Sequence, residues 1–235
     1  GIDSVLQPPL VLAGSHDPLL DWALRESGSG IATFFDGSLD GLTRLGEGKV
    51  VACGMHVFEP ERDDWNVGHV AQVLHGMPVV LIEWSTRQQG LIVAPGNPKK
   101  IKGIADLGQG KFIPRQKQAG SYILLSHLMA REELDPATLD MLETPARSEL
   151  DVAIAVAEGK ADAGLGIEAV AQQQRLDFQP LFQERYDLAI WRRDYFEGPV
   201  QALLSFATTE AFRARAAEMG GYDIGSLGKV RMNGA

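Results

Sequence analysis

The stretch LVLAGSHDPLLDWALR, residues 10–25, sets the architecture. Leu10–Ala13 is a short apolar run of buried-strand length. Gly14–Ser15–His16–Asp17 turns the chain, and Pro18 suits the first turn of a helix capped by Asp17 or His16. Leu19–Arg25 then carries apolar residues at helical spacing. A strand feeding a helix through a glycine turn is half of a β–α unit and points to an α/β fold.

The same order repeats outward. Gly30–Phe35 reads as a strand, Gly37–Ser38 as its turn and Leu39–Glu47 as a helix; Val50–Cys53 is a third strand. Pro78–Trp84 and Gln89–Ala94 read as two strands, with the apolar pattern broken near Thr86–Gln89. Lys111–Pro114 leads through a polar loop into the helix Tyr122–Glu132, and Ser148–Glu158 is a further helix. Ala161–Leu165, Phe178–Leu181 and Leu188–Trp191 read as strands, with helices at Glu168–Gln174, Gly198–Ala207 and Glu210–Met219. The alternation predicts two parallel or mixed sheets with helices on both faces.

The chain has 235 residues, room for two small lobes, and a formal net charge of −9. That charge argues against a sequence-independent binder of nucleic acid backbones, though a cleft can carry a local potential of its own. The single cysteine, Cys53, lies in an apolar run and reads as a buried thiol. No stretch reaches 18 apolar residues, so no membrane-spanning helix is expected. No leader pattern is recognised at the start, which fits either a mature exported protein or a domain of a longer chain.

Ser15 and Ser38 each stand between a strand and a helix, where free N–H groups and a hydroxyl suit an anion; each is equally suited to capping alone. His16 and His56 stand at the same end of the expected sheet, as donors to an anion or as polar surface groups. Arg115 ends a strand and suits a bidentate contact; Gln116 follows it, and Gly120 and Ser121 open the next helix with backbone donors. Arg87 and Gln89 fall at the expected crossing, as ligand contacts or structural bridges. Glu168 reads as a cap or as a contact to a cationic group, and Tyr186 as a lid or wall. Trp22, Trp65, Trp84 and Trp191 read as core, and the carboxylates of Glu59–Asp64 as a solvated loop. No catalytic motif, metal-binding histidine pair or cofactor signature is recognised.

Taken in order, Gly14–Pro18, Gly37–Ser38, Arg87–Leu91 with Val93–Pro98, Arg115–Gln116 with Gly120–Ser121, Ala161–Gly166 and Glu184–Leu188 resemble the periplasmic-binding-protein-like domain. This domain occurs in helix-turn-helix regulators and in fusions to molybdopterin-biosynthesis proteins. The resemblance runs from about Leu10 to about Val230. It implies a type II fold with two lobes around a ligand cleft: residues 10–85 and 188–232 as lobe 1, 86–187 as lobe 2, and 1–9 as a linker or tail. A more distant similarity is to molybdate- and tungstate-binding transport proteins. It places their first two anion-holding serines on Ser15 and Ser38, and their second-lobe loop near Gly120 and Ser121. Where some of those proteins carry a tyrosine, residues 164–168 are Gly, Leu, Gly, Ile and Glu.

The function this resemblance implies is that of a cytoplasmic sensor domain of a transcriptional regulator. Such a domain binds a small anion such as molybdate or tungstate, contacts no nucleic acid or membrane itself, and joins a DNA-binding domain and a homodimer in the full chain. The alternatives are a periplasmic or extracellular binding protein of an ABC uptake system for an oxyanion or small organic anion, and an enzyme acting on a small anionic metabolite.

Overall fold

A computed structural model describes residues 7–234, so most of the expected 1–9 tail lies outside the described residues. The first β–α unit forms as the sequence dictates. Strand β1 (Val11–Gly14) leads into α1 (Pro18–Glu26), capped by the Asp17 side chain accepting from Leu20 N–H, with Leu19, Leu20, Ala23 and Leu24 buried. Then come β2 (Ala32–Phe35), α2 (Ser38–Gly46) and β3 (Ala52–Met55). A small hairpin of β4 (Phe58–Glu59) and β5 (Asp64–Trp65) precedes α3 (Val67–Val73). Here the expected solvated loop holds for Glu61 and Asp63, which are exposed, and is corrected at Glu59. Glu59 is buried and accepts from the N–H groups of Gly68 and His69, closing the start of α3.

The long strand β6 (Val79–Val93) follows, then a 3-10 turn, β7 (Lys111–Ile113), α4 (Gly120–Arg131), β8 (Asp140–Met141), α5 (Glu149–Ala157), β9 (Ala163–Ile167) and α6 (Glu168–Gln173). A second long strand, β10 (Asp177–Trp191), returns the chain to α7 (Arg192–Tyr195), α8 (Gly198–Phe206), α9 (Glu210–Met219), β11 (Tyr222–Asp223) and β12 (Val230–Asn233).

The expectation of two sheets is corrected to one. Its order is β2-β1-β3-β10-β6-β9-β7-β8, with β11 and β12 also pairing to β6. Pairs within β1–β3 and within β7–β9 are parallel, and β6 and β10 run antiparallel through both halves. Each had read as two strands because its middle is polar. Those polar residues remain in the strands: Arg87 stands opposite Glu184, and Thr86 opposite Arg185. Two irregularities, between Pro180 and Phe182 and between Tyr186 and Asp187, bend the pair. The inferred lobe boundaries at 85/86 and 187/188 therefore fall inside shared strands.

The core follows the same continuity. One apolar cluster joins Leu12, Leu20, Ile82 and Trp84 to Val152, Ala153 and Ile167. A second seats Phe58 and Trp65 of the hairpin against Phe112, Leu124 and Leu128, strapping the first half onto the second. Cys53 is buried, as expected. No helix among the described residues is long and apolar enough to cross a membrane.

Candidate functional site

The turn after β1 is shaped by Gly14, whose φ is +100° and where a Cβ would stand 2.2 Å from the Gly54 carbonyl. Glycine here lets β1 lie against β3 and sets Ser15 over the sheet's crossing strands. Ser15 is buried, and its Oγ lies 2.9 Å from His56 Nε2. His56 Nδ1 lies 3.0 Å from Glu184 Oε2. Arg87 donates from Nε and Nη2 to Glu184 Oε1, and from Nη1 to Asp17 Oδ1 at 3.0 Å. Gln89 donates to Glu184 Oε2 at 3.2 Å, and the Tyr222 hydroxyl donates to Asp17 Oδ1 at 2.7 Å. Burial alone would push the Glu184 carboxyl up, but Arg87 and His56 outweigh it and hold the group well below the usual carboxylate range. Tyr186, fully buried, packs its ring under Arg87 and donates to the Ser15 carbonyl.

Through Ser15 this network reaches a cavity of about 20 Å³ between the halves. Ser15, His16, Phe35 and Asp36 line it from the first half, and Arg115, Arg147, Ser148 and Glu149 from the second. Arg115 is buried to 7% exposure. Its Nε donates to Gln116 Oε1 and to the Ala146 carbonyl, both at 3.1 Å, and its Nη2 to the Arg147 carbonyl at 3.4 Å. Among the described residues no carboxylate lies within 4 Å of this guanidinium, and burial disfavours its charge more than Glu149 and Asp151 restore it. Beside it, α5 begins with Ser148 accepting from Asp151 N–H at 3.1 Å, and the amides of Glu149 and Leu150 face no carbonyl of their own helix. Such amides and an unpaired guanidinium together favour negative charge. Among the described residues no cluster of side chains has the make-up of a metal site.

The sequence-derived candidates divide around this cavity. Ser15, His16 and Arg115 line it; His16 also pairs with Asp21 at 3.2 Å and meets the Phe35 ring edge-on. His56, Arg87, Gln89 and Tyr186 are buried outside the cavity lining; Tyr186 meets Ser15 only through the Ser15 carbonyl, as neither lid nor wall of this cavity. Gln116 holds the Arg147 carbonyl at 3.3 Å. Ser38 is fully buried with its Oγ accepting from His56 N–H at 3.2 Å, outside the cavity lining. Gly120 and Ser121 lie against His56 and Gln89 at the junction of the halves. Glu168 stands apart, in a surface groove with Gln88, Gly221 and Tyr222.

Sequence reasoning missed Asp36, Arg147, Ser148, Glu149 and Glu184. The signal for Ser148 and Glu149 was Ser148-x-x-Asp151 ahead of an apolar helix. Asp36 had one too, standing between a strand and the Gly37–Ser38 turn.

Comparison with known proteins agrees with the fold. The uncharacterized protein YvgK of Bacillus subtilis (strain 168) is 30% identical over 198 residues, covering 83% of this chain; the chain spans 64% of YvgK's length. The structure of a tungstate ABC transporter protein from Geobacter sulfurreducens superposes with a TM-score of 0.61 at 15% identity, over 88% of this chain and 97% of that one. A histidine kinase sensor domain similar to periplasmic binding proteins gives 0.55 at 16% identity, over 90% and 96%. These structures share the two-lobe type II fold. Residues 21–208 match the PBP superfamily domain, and the chain belongs to that periplasmic-binding-protein-like family.

Proposed function

We propose that this domain is the sensor of a transcriptional regulator and binds a small oxyanion between its halves. The observation that carries the reading is Arg115: a buried guanidinium on the cleft cavity that makes no ion pair within 4 Å among the described residues. A buried charge without a partner is costly, and an anionic ligand supplies the partner. Molybdate and tungstate belong to the class to be tested, following the resemblance of Ser15 and the fold shared with the tungstate transporter protein. The domain then acts by closure. Ligand binding favours the form in which the halves meet, and that shift is passed to a DNA-binding domain or a second copy.

The test is a thermal-shift and calorimetric panel of oxyanions on the domain and on Arg115→Ala. A ligand at a hundredfold excess over its Kd adds about 2.7 kcal/mol of stability. No response to any anion, or equal affinity in the variant, overturns the reading. The uptake alternative places the same cleft in a periplasmic binding protein. A helix-turn-helix segment upstream of residue 1 supports the sensor; a lipid-attachment cysteine or leader peptide supports uptake.

One observation favours an enzyme as a second reading. Ser15, His56 and Glu184 are spaced as a nucleophile, base and orienting acid. It ranks second because the Ser15 amide donates to the Gly54 carbonyl and cannot stabilise an oxyanion, while Arg87 draws on Glu184. Labelling of Ser15 by a fluorophosphonate, abolished in Ser15→Ala, is the outcome this reading requires.

A further inference from the structure

A cavity of about 510 Å³ lies at the end of the first half's strands opposite the cleft. The cleft meets the turns after β1 and β2; this cavity is bordered by the end of α2 at Gly46, by Pro78 before β6 and by Trp191 at the end of β10. Because β10 runs antiparallel to β3, with Ile190 opposite Ala52, Trp191 comes beside the start of β3 and not its cleft end. The volume is that of a small-molecule pocket, about 300–1,000 Å³. Pro8, Gly48 and Pro78 help to make its wall mostly apolar, and Asp194 of α7 also lines it.

Two of these lining residues carry a buried polar atom with no hydrogen-bond partner among the described residues: Trp191 Nε1, a donor, and Asp194 Oδ2, an acceptor. Three residues separate them across the first turn of α7, which brings both to one side of it. Burial pushes the Asp194 carboxyl up, with Arg193 opposing that and Glu197 adding to it. Glu47, also on the cavity, is already paired with Lys49 at 2.7 Å. A buried donor or acceptor left unmatched is unfavourable and rare in folded proteins, and here one of each stands on the same apolar cavity.

We propose that this cavity is a second ligand site, separate from the cleft, for an uncharged planar heterocycle that carries an N–H donor beside an acceptor, the nucleobase class. The acceptor on the ring edge takes the hydrogen of Trp191 Nε1, the neighbouring N–H donates to the Asp194 carboxylate, and the apolar wall covers the ring. The free base or nucleoside is the form that fits. The chain carries a net charge of −9, which disfavours the phosphates of a nucleic acid. A site built to hydrogen-bond a ligand N–H rejects the analogue that lacks it, because the buried acceptor is then left unpaired.

The experiment is calorimetric titration of the parent domain with adenosine, inosine and uridine and with N6,N6-dimethyladenosine, 1-methylinosine and 3-methyluridine, which keep the ring and lose the edge donor. Trp191→Phe, Asp194→Ala and Arg115→Ala are titrated with the nucleoside that binds, with melting curves for each. At least one nucleoside is expected to bind the parent, and its methylated counterpart to bind about tenfold or more weakly. Trp191→Phe and Asp194→Ala should each lose about tenfold or more, while Arg115→Ala, altered only in the cleft, should bind the nucleoside as the parent does. No binding of any of the three by the parent overturns the proposal, and so does a methylated counterpart that binds equally well, whether or not the variants fold. Unchanged affinity in folded Trp191→Phe and Asp194→Ala, or loss in folded Arg115→Ala, places the nucleoside elsewhere and overturns it too. Oxyanion binding in the cleft stands or falls apart from each of these outcomes.

Discussion

Ser15 and Ser38 hold equivalent places in the chain and unlike places in the molecule. Both follow a strand and precede a helix, so local sequence assigns them the same two roles. Only the fold separates them: Ser15 reaches the cavity, while Ser38 turns its Oγ to the His56 amide and the Leu39 N–H is closed by the Gln118 carbonyl at 3.3 Å. Ser15→Ala is therefore expected to weaken anion binding about tenfold or more. Ser38→Ala is expected to lower stability by about 1 kcal/mol and leave the affinity of the folded domain unchanged; calorimetry and urea unfolding on the two variants check both. Arg115, in the polar loop after β7, is buried. A loop arginine would be removable at little cost, but this one ties the Ala146 and Arg147 carbonyls together. Arg115→Ala should cost about 1–3 kcal/mol of stability as well as about 2 kcal/mol or more of binding, seen as two separate losses in the same pair of measurements.

At the scale of elements, β10 carries two buried carboxylates whose pKa values are shifted in opposite directions. Glu184 is held down to about 2, against a usual 4.5, because Arg87 and His56 outweigh burial. Its contribution is present above the unfolded value and is lost as pH falls from about 4.5 towards 2. Asp187 is pushed up from 3.8 to about 6, because burial outweighs Arg185 and Asn66. It therefore opposes folding at neutral pH, and that penalty is relieved as pH falls from about 6 towards 4. Asp187→Asn should flatten the stability profile between those values. Glu184→Gln should flatten it below 4.5 and cost about 3–5 kcal/mol at neutral pH by leaving Arg87 short of a buried partner. Melting temperature against pH for the parent and both variants tests the pair, and parallel curves for all three contradict the assignment. The sequence showed where these strands cross, through the polar break at Thr86–Gln89 and the charges of Glu184–Asp187. It could not show that the strands run on unbroken, because the partners of those polar groups come from the other strand, about a hundred residues away.

For the molecule as a whole, the α/β alternation and the order of the landmarks made the two-halved plan legible. The closest contacts between the halves were not, since they bring a glycine against backbone of the other half. The tightest is at Gly120, the first residue of α4, where a Cβ would stand 2.3 Å from the His56 carbonyl oxygen and 2.8 Å from its ring. His56 cannot move aside, because Glu184 and Ser15 hold both of its ring nitrogens. Within its own helix Gly120 makes no demand that alanine fails to meet, and alanine is the better helix former by about 1 kcal/mol. Gly120→Ala should therefore leave each half intact and hold the two apart. The cavity between them has room for roughly one or two waters, so a ligand enters only when the halves part and is retained only when they meet. Blocking the meeting should weaken anion binding tenfold or more and keep the radius of gyration, measured by X-ray scattering, larger than the parent's even with ligand in excess. The far-ultraviolet circular dichroism should not change. A Gly120→Ala domain that scatters and binds like the parent would show that closure through His56 and α4 is not how this protein holds its ligand.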